Sequence, residues 1–429
     1  MSRILITAAV VLAGFTRGWS QETAVRLDTL TIARAVALGL EHHQSLAAAE
    51  ANVASASAAK TQALSAYYPA VGFNATASHT EGVFVFNPSI PSRYQIYSNY
   101  STGLSGQAII YDFGKTGERV GANTSFVGAS EEDYQAARDN VVVNVEVAYF
   151  TYLQDIEVTQ VNEEAVQQAQ GHLNAAKAFY SVGRRPLLDV TTAEVNLANA
   201  NVALIRSRNA MQVAKLQLEN AMGVHPSGPY AVKAQVEMRA LGYSLDTART
   251  LALRQRPDIA AAQLRAEGLS NLATSVWDQN LPTLSASGTW NWSGFDVRLY
   301  GRWTAGLTFT LPIFQGFGIQ AQAQQAQANT EAQQAAAKLT VENALLDVEQ
   351  TYLAVQEAWD RHNASGKLVE QAEQSLRLAE QQYKAGVGTA LDVTDAEVNR
   401  ANARITEIQA LYDYNSSVVR LMRAMGAKM

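Results

Sequence analysis

Apolar side chains recur along much of this chain at alternating steps of three and four residues. Two such stripes, one in each half, are Val142, Val145, Tyr149, Tyr152 and Ile156, and Leu345, Val348, Tyr352, Val355 and Trp359. This heptad spacing keeps one stripe of a helix facing a partner helix. No proline interrupts residues 117–182 or 318–385. The pattern therefore predicts two unbroken helices there, each reaching on the order of 100 Å at a rise of about 1.5 Å per residue.

Glycines follow both predicted long helices. Gly183 and Gly386 stand just past the last turn, where a left-handed backbone conformation is usual. The other predicted helices are two short ones and two return helices, over 46–66, 259–279, 188–222 and 391–425. Each return helix is only about half as long as the helix before it, so a short helix stacked end to end with it would supply the missing length.

Two segments, 70–110 and 283–312, change to the period-two alternation that predicts half-buried strands. Each predicts a β-hairpin with strands of about 9–11 residues, which is the length that crosses a bilayer at a tilt. Aromatic residues gather near the strand ends, as in an interfacial girdle; these are Tyr67, Tyr68, Tyr94, Tyr97, Tyr100, Trp290, Trp292, Tyr300 and Trp303. A soluble sandwich with one wet face is the alternative, but two separated hairpins make a poor sandwich.

The second half of the chain repeats the first. Aligned without gaps, segments 180–223 and 383–426 are identical at eighteen of forty-four positions. We therefore divide the chain into a first repeat, 21–225, and a second repeat, 226–429, each with a helix, a hairpin, a long helix and a return helix. The first repeat holds ten extra residues between Pro69 and Ile110, which predict a longer surface loop.

Composition narrows the classes of protein. Charged residues make up 17% of the chain, below the roughly 25% of typical soluble proteins. Arg3, an apolar run and small residues before Gln21 predict a cleaved secretory signal over 1–20. No later stretch is apolar over the roughly 20 residues of a membrane helix. A membrane-spanning β-barrel stays open, because its strands carry only a weak alternating signal.

Candidate chemistry is sparse. The chain has no cysteine, which excludes disulfides and thiolate metal sites. A net charge of −6 gives no support for nucleic acid as a partner. No phosphate-binding loop, nucleophile–base constellation or ligand cluster with metal spacing is present, so we expect no cofactor and no catalysis.

Four strands cannot close a barrel, and lipid does not tolerate an open sheet edge. Closure must therefore come from association of several chains. The smallest spanning barrels have about 8 strands, and an aqueous channel needs more. This argument alone permits two, three or four copies.

The duplicated order of strand pair, unbroken helix, glycine turn and Leu-Asp-Val segment resembles the TolC-like outer-membrane efflux proteins, over nearly the whole predicted mature chain. The most specific marks are Tyr180-Ser-Val-Gly183 with Leu188-Asp189-Val190, Tyr383-Lys-Ala-Gly386 with Leu391-Asp392-Val393-Thr394-Asp395-Ala396, and Arg256-Pro257-Asp258-Ile259. The resemblance implies a homotrimer with a twelve-stranded outer-membrane β-barrel, four strands from each chain, continued by an α-helical coiled-coil tunnel into the periplasm.

The resemblance also implies partners and a gate. A periplasmic adaptor (membrane fusion) protein and an inner-membrane transporter would feed substrate into this passive exit duct, in efflux or in type I secretion. Helix pairs near the glycine turns would close the tunnel until the adaptor docks, which makes Gly183 and Gly386 the expected adaptor-docking tips.

Gate residues follow from the same resemblance at Asp392 and Asp395. These lie one helical turn apart and share a face, so in a trimer they would form carboxylate rings that favour cations. Crowded carboxylates should titrate as a coupled set with raised apparent pKa values. Asp189 is the first-half equivalent of Asp392. The alternative for these aspartates is that they only complement the positive start of a helix.

The latch of the gate departs from the family pattern. Closed members carry a basic residue two positions after the second-half glycine, and this chain has Gly388 there. Arg184 and Arg185 are candidate substitutes for the latch or for tip contacts. Alternatively, both arginines are solvated or touch the adaptor.

Two other functions are compatible with parts of the pattern. A cell-envelope coiled-coil scaffold would use the helices alone, and the alternating strands argue against it. A general diffusion porin would be nearly all strand, which the unbroken helices contradict.

Overall fold

The structure is a computed structural model that describes residues 29–84, 93–225, 230–233, 242–295 and 298–427. The predicted signal segment, 1–20, lies outside the described residues. The α-helices are α1 Ile32–His42, α2 Gln44–Leu64, α3 Lys115–Ser181, α4 Leu187–Ala221, α5 Leu245–Gln255, α6 Pro257–Trp277, α7 Gly318–Ala385 and α8 Ala390–Ala424. The strands are β1 Thr29–Leu30, β2 Ala70–Phe84, β3 Arg93–Tyr111, β4 Ala231–Val232, β5 Thr283–Phe295 and β6 Tyr300–Thr310. The predicted fold class, mainly helical with a small β part, is confirmed.

The two long helices, α3 and α7, have 67 and 68 residues. Their rise of about 1.5 Å per residue makes each roughly 100 Å long. Helices α2 and α4 both pack along α3, whereas α6 and α8 each pack along both long helices, α3 and α7. In each repeat the short helix and the return helix therefore contact the same long helix.

Two glycines lie where a return helix meets a short helix. Gly223 follows α4 with φ of 65°, and a Cβ there would lie 3.0 Å from backbone atoms of His42 and His43. Gly426 follows α8 with φ of 69°, and a Cβ would meet the Gln255 and Arg256 backbone at 2.7 to 2.9 Å. Both sites combine a left-handed backbone with close approach, so they require glycine.

The two hairpins join into one antiparallel sheet, in the order β2-β3-β5-β6. The hairpins are far apart in the sequence, and the contact between them is made by β3 and β5, which pair from Asn99↔Phe295 to Tyr111↔Leu284. Strands distant in the chain cannot be paired from local periodicity. Among the strands that the structure describes, β2 and β6 each pair on one side only.

The extra residues of the first repeat lie largely in strands. Strands β2 and β3 have 15 and 19 residues, whereas β5 and β6 have 13 and 11. The expectation that the insertion only lengthens a surface loop was therefore wrong. Residues continue to pair as far as Phe84↔Arg93.

The main hydrophobic core lies midway along α3, around the predicted heptad stripe. Val145 is fully buried, and Tyr149 is 2% exposed. The Tyr149 hydroxyl lies within hydrogen-bond distance of two carbonyl oxygens, that of Leu30 at 3.2 Å and that of Lys233 at 2.9 Å, between which its one proton is shared. These bonds tie the two-stranded sheet β1–β4 to the long helix.

Candidate functional site

The turns after α3 and α7 lie together at one end of the helices, which we call the tip. Gly183 and Gly386 have φ of 71° and 85°, as predicted for glycines that end a helix. The aromatic ring of Phe179, in the last turns of α3, lies 5.9 Å from that of Tyr383 in α7. This contact joins the helices of the two repeats at the tip.

Arg185 links the two turns. Its Nη2 donates hydrogen bonds of 2.9 Å to the carbonyl oxygens of Tyr383 and Gly388. Its guanidinium carbon lies 4.5 Å above the centre of the Tyr383 ring, which adds a cation–π contact. Its Nε lies 3.9 Å from Asp189 Oδ2, and both side chains are largely buried. Arg184, by contrast, is exposed.

Tyr383 is the centre of this contact set. It is 4% exposed, and its hydroxyl donates to Asp189 Oδ2 over 3.3 Å. Burial and the Asp189 charge raise the pKa of Tyr383 above its usual value, so it stays a neutral donor. No role was predicted for Tyr383. Its equivalent in the first repeat, Tyr180, is exposed, and no local sequence pattern distinguishes the two tyrosines.

The predicted gate aspartates are at the start of α8 and are exposed. Asp392 accepts hydrogen bonds from the Thr389 backbone N–H, at 2.9 Å, and hydroxyl, at 2.7 Å. The Thr389 hydroxyl accepts in turn from the Asp392 backbone N–H, so the pair forms a capping box. The Thr389 bonds lower the pKa of Asp392. Within a single chain Asp392 therefore caps the start of α8, which was the alternative to a role in the gate. Asp395 is exposed.

A series of polar contacts continues from the tip along the junction between the α3–α4 pair and the α7–α8 pair. Asn196 donates to Glu397 at 2.7 Å, Arg400 to Gln168 at 3.0 Å, Arg404 to Glu164, and Tyr412 to Glu157 at 2.7 Å. Every one of these bonds joins the first repeat to α8. We call them the inter-repeat ladder; with the Arg185 contacts, it holds the two repeats side by side.

The four-stranded sheet has one apolar and one polar face. Register places Phe73, Leu104, Trp290 and Trp303 in one row across the strands. Phe73 and Trp303 are 71% and 75% exposed. The neighbouring row, on the other face, is Gly72, Ser105, Thr289 and Thr304. Within one chain, nothing described covers the apolar row.

The predicted girdle residues lie at two levels of this sheet. Tyr67 and Tyr68 are exposed just before β2, at the end of the sheet nearest the helices. The remaining four lie toward the opposite end, on the apolar face: Tyr100, Trp290, Trp292 and Trp303. The rings of Trp290 and Trp292 stack at 5.1 Å. The interfacial girdle stays a prediction.

The described part of the chain offers little to two other kinds of site. It contains no group of three or more His, Asp or Glu side chains arranged to hold a metal ion. Among the same residues, no helix is both long and apolar enough to cross a membrane.

Comparison with known proteins gives a family match. The profile described as outer membrane efflux protein matches residues 36–224 and 248–427, one match in each repeat. The chain is 26% identical over 333 residues to outer membrane protein TolC of Escherichia coli (strain K12), covering 70% of this chain and 64% of TolC. It thus matches less than two thirds of TolC. To outer membrane protein OprJ of Pseudomonas aeruginosa it is 25% identical, covering 83% of this chain and 76% of OprJ.

A solved structure agrees with the fold. The CmeC outer membrane channel of Campylobacter jejuni superposes with a TM-score of 0.83, at 21% identity, covering 92% of this chain and 85% of CmeC. At that identity the likeness concerns the fold alone.

Proposed function

Because the chain belongs to the outer membrane efflux protein family, we propose that it is the exit duct of a tripartite efflux or type I secretion system. Like its relatives, it is an outer-membrane protein that extends into the periplasm. The observation that carries the proposal is the sheet β2-β3-β5-β6, which has an exposed apolar face, a polar face and two open edges.

Such a sheet is not stable in water or in lipid as a single copy. Its unpaired edges would leave backbone groups without hydrogen bonds in a bilayer, and its apolar row would stay exposed in water. Edge-to-edge association of β2 and β6 from neighbouring copies would satisfy the backbone groups of the edges, and a surrounding bilayer would cover the apolar row. We propose a homotrimer with twelve strands, whose polar faces line a lumen that continues between the long helices.

The tip is the proposed gate. In a trimer, Asp392 and Asp395 of the three copies would form acidic rings at the narrow end of the tunnel, with Asp189 beside them. Within each copy Arg185 is the proposed latch, because its two carbonyl contacts tie the turn after α3 to the turn after α7. Arg184 is exposed and is proposed to contact the adaptor.

The proposed partners are a periplasmic adaptor, which docks at the turns marked by Gly183 and Gly386, and an inner-membrane transporter, which supplies substrate and energy. The duct itself is proposed to be passive and non-enzymatic. Exposed apolar side chains at both turns suit a protein partner; these are Val182, Leu187, Leu188, Val387 and Leu391.

A mass measurement tests the closed assembly. The purified protein should need detergent for extraction and should have the protein mass of three chains of 46.3 kDa, less any cleaved leader. Extraction by salt or alkali alone would instead support the coiled-coil scaffold. A detergent-solubilised monomer would contradict closure of the sheet by association.

A further inference from the structure

The two repeats differ in charge at one matched pair of positions near the tip. In the first repeat, Lys177 Nζ lies 3.1 Å from Glu194 Oε1, and both side chains are about half exposed. The repeat alignment places Glu380 at the position of Lys177 and Glu397 at the position of Glu194. An ion pair in one repeat is therefore replaced by two carboxyl groups in the other.

Glu397 lies inside the junction between the repeats. Its Oε2 accepts from Nδ2 of the buried Asn196, on α4, over 2.7 Å. It also lines two cavities, of about 200 and 290 Å³, and the larger one contains His172, Glu380 and Tyr383. Burial raises the pKa of Glu397 to about 7; the Asn196 bond opposes this shift and the Glu380 charge adds to it.

Among the described residues, no Lys, Arg or His nitrogen lies within ion-pair distance of Glu397, and the charged groups on the neighbouring helices have other partners. On α7, Lys384 Nζ pairs with Glu380 at 3.6 Å. On α8, Arg400 Nη1 donates to Gln168 and its Nε lies 4.0 Å from Glu373. On α4, Asp189 interacts with Arg185. On α3, burial lowers the pKa of His172, whose Nε2 is buried without a hydrogen-bond partner.

We propose that Glu397 is a proton-operated clasp between α4 and α8, which closes the tip junction when protonated and loosens it when ionised. This regulation rests on the proposed duct function. When the Glu397 carboxyl is neutral, its carbonyl oxygen still accepts the hydrogen bond from Asn196, and no unpaired charge lies beside Glu380. An ionised carboxylate gains solvation only if α8 moves away from α4 and water enters the cavity.

The direction with pH follows from the sign of the shift. Folding raises the pKa of Glu397 from 4.5 to about 7, so the packed junction binds a proton more tightly than the open one does. Rising pH through this interval therefore weakens the closed junction. The shift sets an upper limit of roughly 300-fold on the change in the closed-to-open ratio. His172 acts in the opposite sense at lower pH, where its protonation would charge the same cavity.

Single-channel recording of the purified protein at pH 6 and pH 8 tests the clasp. We expect the open fraction to rise about tenfold from pH 6 to pH 8. In Glu397→Gln, a neutral isostere, it should stay at the pH 6 value at both pH values. The matched control is Glu194→Gln, the equivalent position in the first repeat, which should keep the full dependence. His172→Gln should also keep it over this interval.

A distance measurement separates the clasp from the duct. Since the chain has no native cysteine, spin labels can be placed at the exposed Asn174 on α3 and Asn399 on α8, in copies diluted with unlabelled protein. The label distance should lengthen from pH 6 to pH 8 in the otherwise native chain and stay constant with Glu397→Gln. Constant distances in both, or unchanged pH dependence in Glu397→Gln, would overturn the clasp. If no conductance is seen at any pH, the proposed duct function is contradicted, and the label distances alone test the clasp.

Discussion

At the scale of single residues, the tip is held by a contact set that spans both repeats. Arg185 combines two carbonyl hydrogen bonds, a stacking contact and a carboxylate 3.9 Å away. The planar guanidinium presents several donors in fixed directions, which a lysine does not. A basic residue in the first-repeat turn thus binds the backbone at Gly388, the position where the resemblance predicts a basic residue and this chain has glycine.

Replacing Arg185 by Ala should loosen the tip. The change removes two charge-assisted hydrogen bonds, each of which contributes roughly 1.5–3 kcal/mol where it is well shielded from water. We expect single-channel conductance to increase several-fold, with the trimer retained. Arg184→Ala is the matched control, since Arg184 is the exposed neighbour, and it should leave conductance unchanged. Equal effects of both substitutions would show that the tip responds to net charge rather than to the Arg185 contacts.

Sequence reasoning identified this arginine pair but could not choose between its members. Both residues occupy one turn, and only the three-dimensional structure shows that Arg185 is the one that contacts the other repeat. Tyr383 and Glu397 were missed for a related reason. Their identities match the first-repeat residues Tyr180 and Glu194, and only the packing between repeats makes one member of each pair buried or half-buried.

At the scale of elements, the sequence pattern predicts the bounds of the two long helices closely. The observed bounds of α3 and α7 lie within two residues of the predicted 117–182 and 318–385. Heptad spacing without a proline continues over dozens of residues, and a glycine marks the end of each helix. Together these signals leave little freedom in where the helices begin and end. The sheet was less predictable, because pairing of β3 with β5 joins segments nearly two hundred residues apart.

Replacing Val145 by Pro tests the role of the central stretch of α3. Proline removes a backbone hydrogen bond and clashes with the preceding turn, at a cost of about 3 kcal/mol or more. Because Val145 is fully buried in the main core, we expect loss of the trimer in detergent and a lower unfolding temperature. Val145→Ala keeps the backbone ladder and should retain the trimer. Normal trimer yield from the proline variant would mean that assembly does not depend on a continuous α3.

At the scale of the whole molecule, the described sheet exposes an apolar row and two edges, whereas the inter-repeat ladder satisfies polar groups inside the chain. The proposed assembly would cover the first kind of surface, and the proposed opening of the tip would act on the second. Duplication supplies both features, because the two hairpins form one sheet and the two helix pairs face each other at the turns.

The measurement that tests this account most directly is single-channel conductance of the detergent-purified protein in planar bilayers, with and without the double substitution Asp392→Ala and Asp395→Ala. We predict small, cation-preferring steps that multivalent cations block, and relief of that block in the double variant, because the carboxylate rings would be lost. Unchanged block in the double variant would remove the acidic rings from the gate. Absence of conductance from well-folded protein of either form would contradict the duct itself.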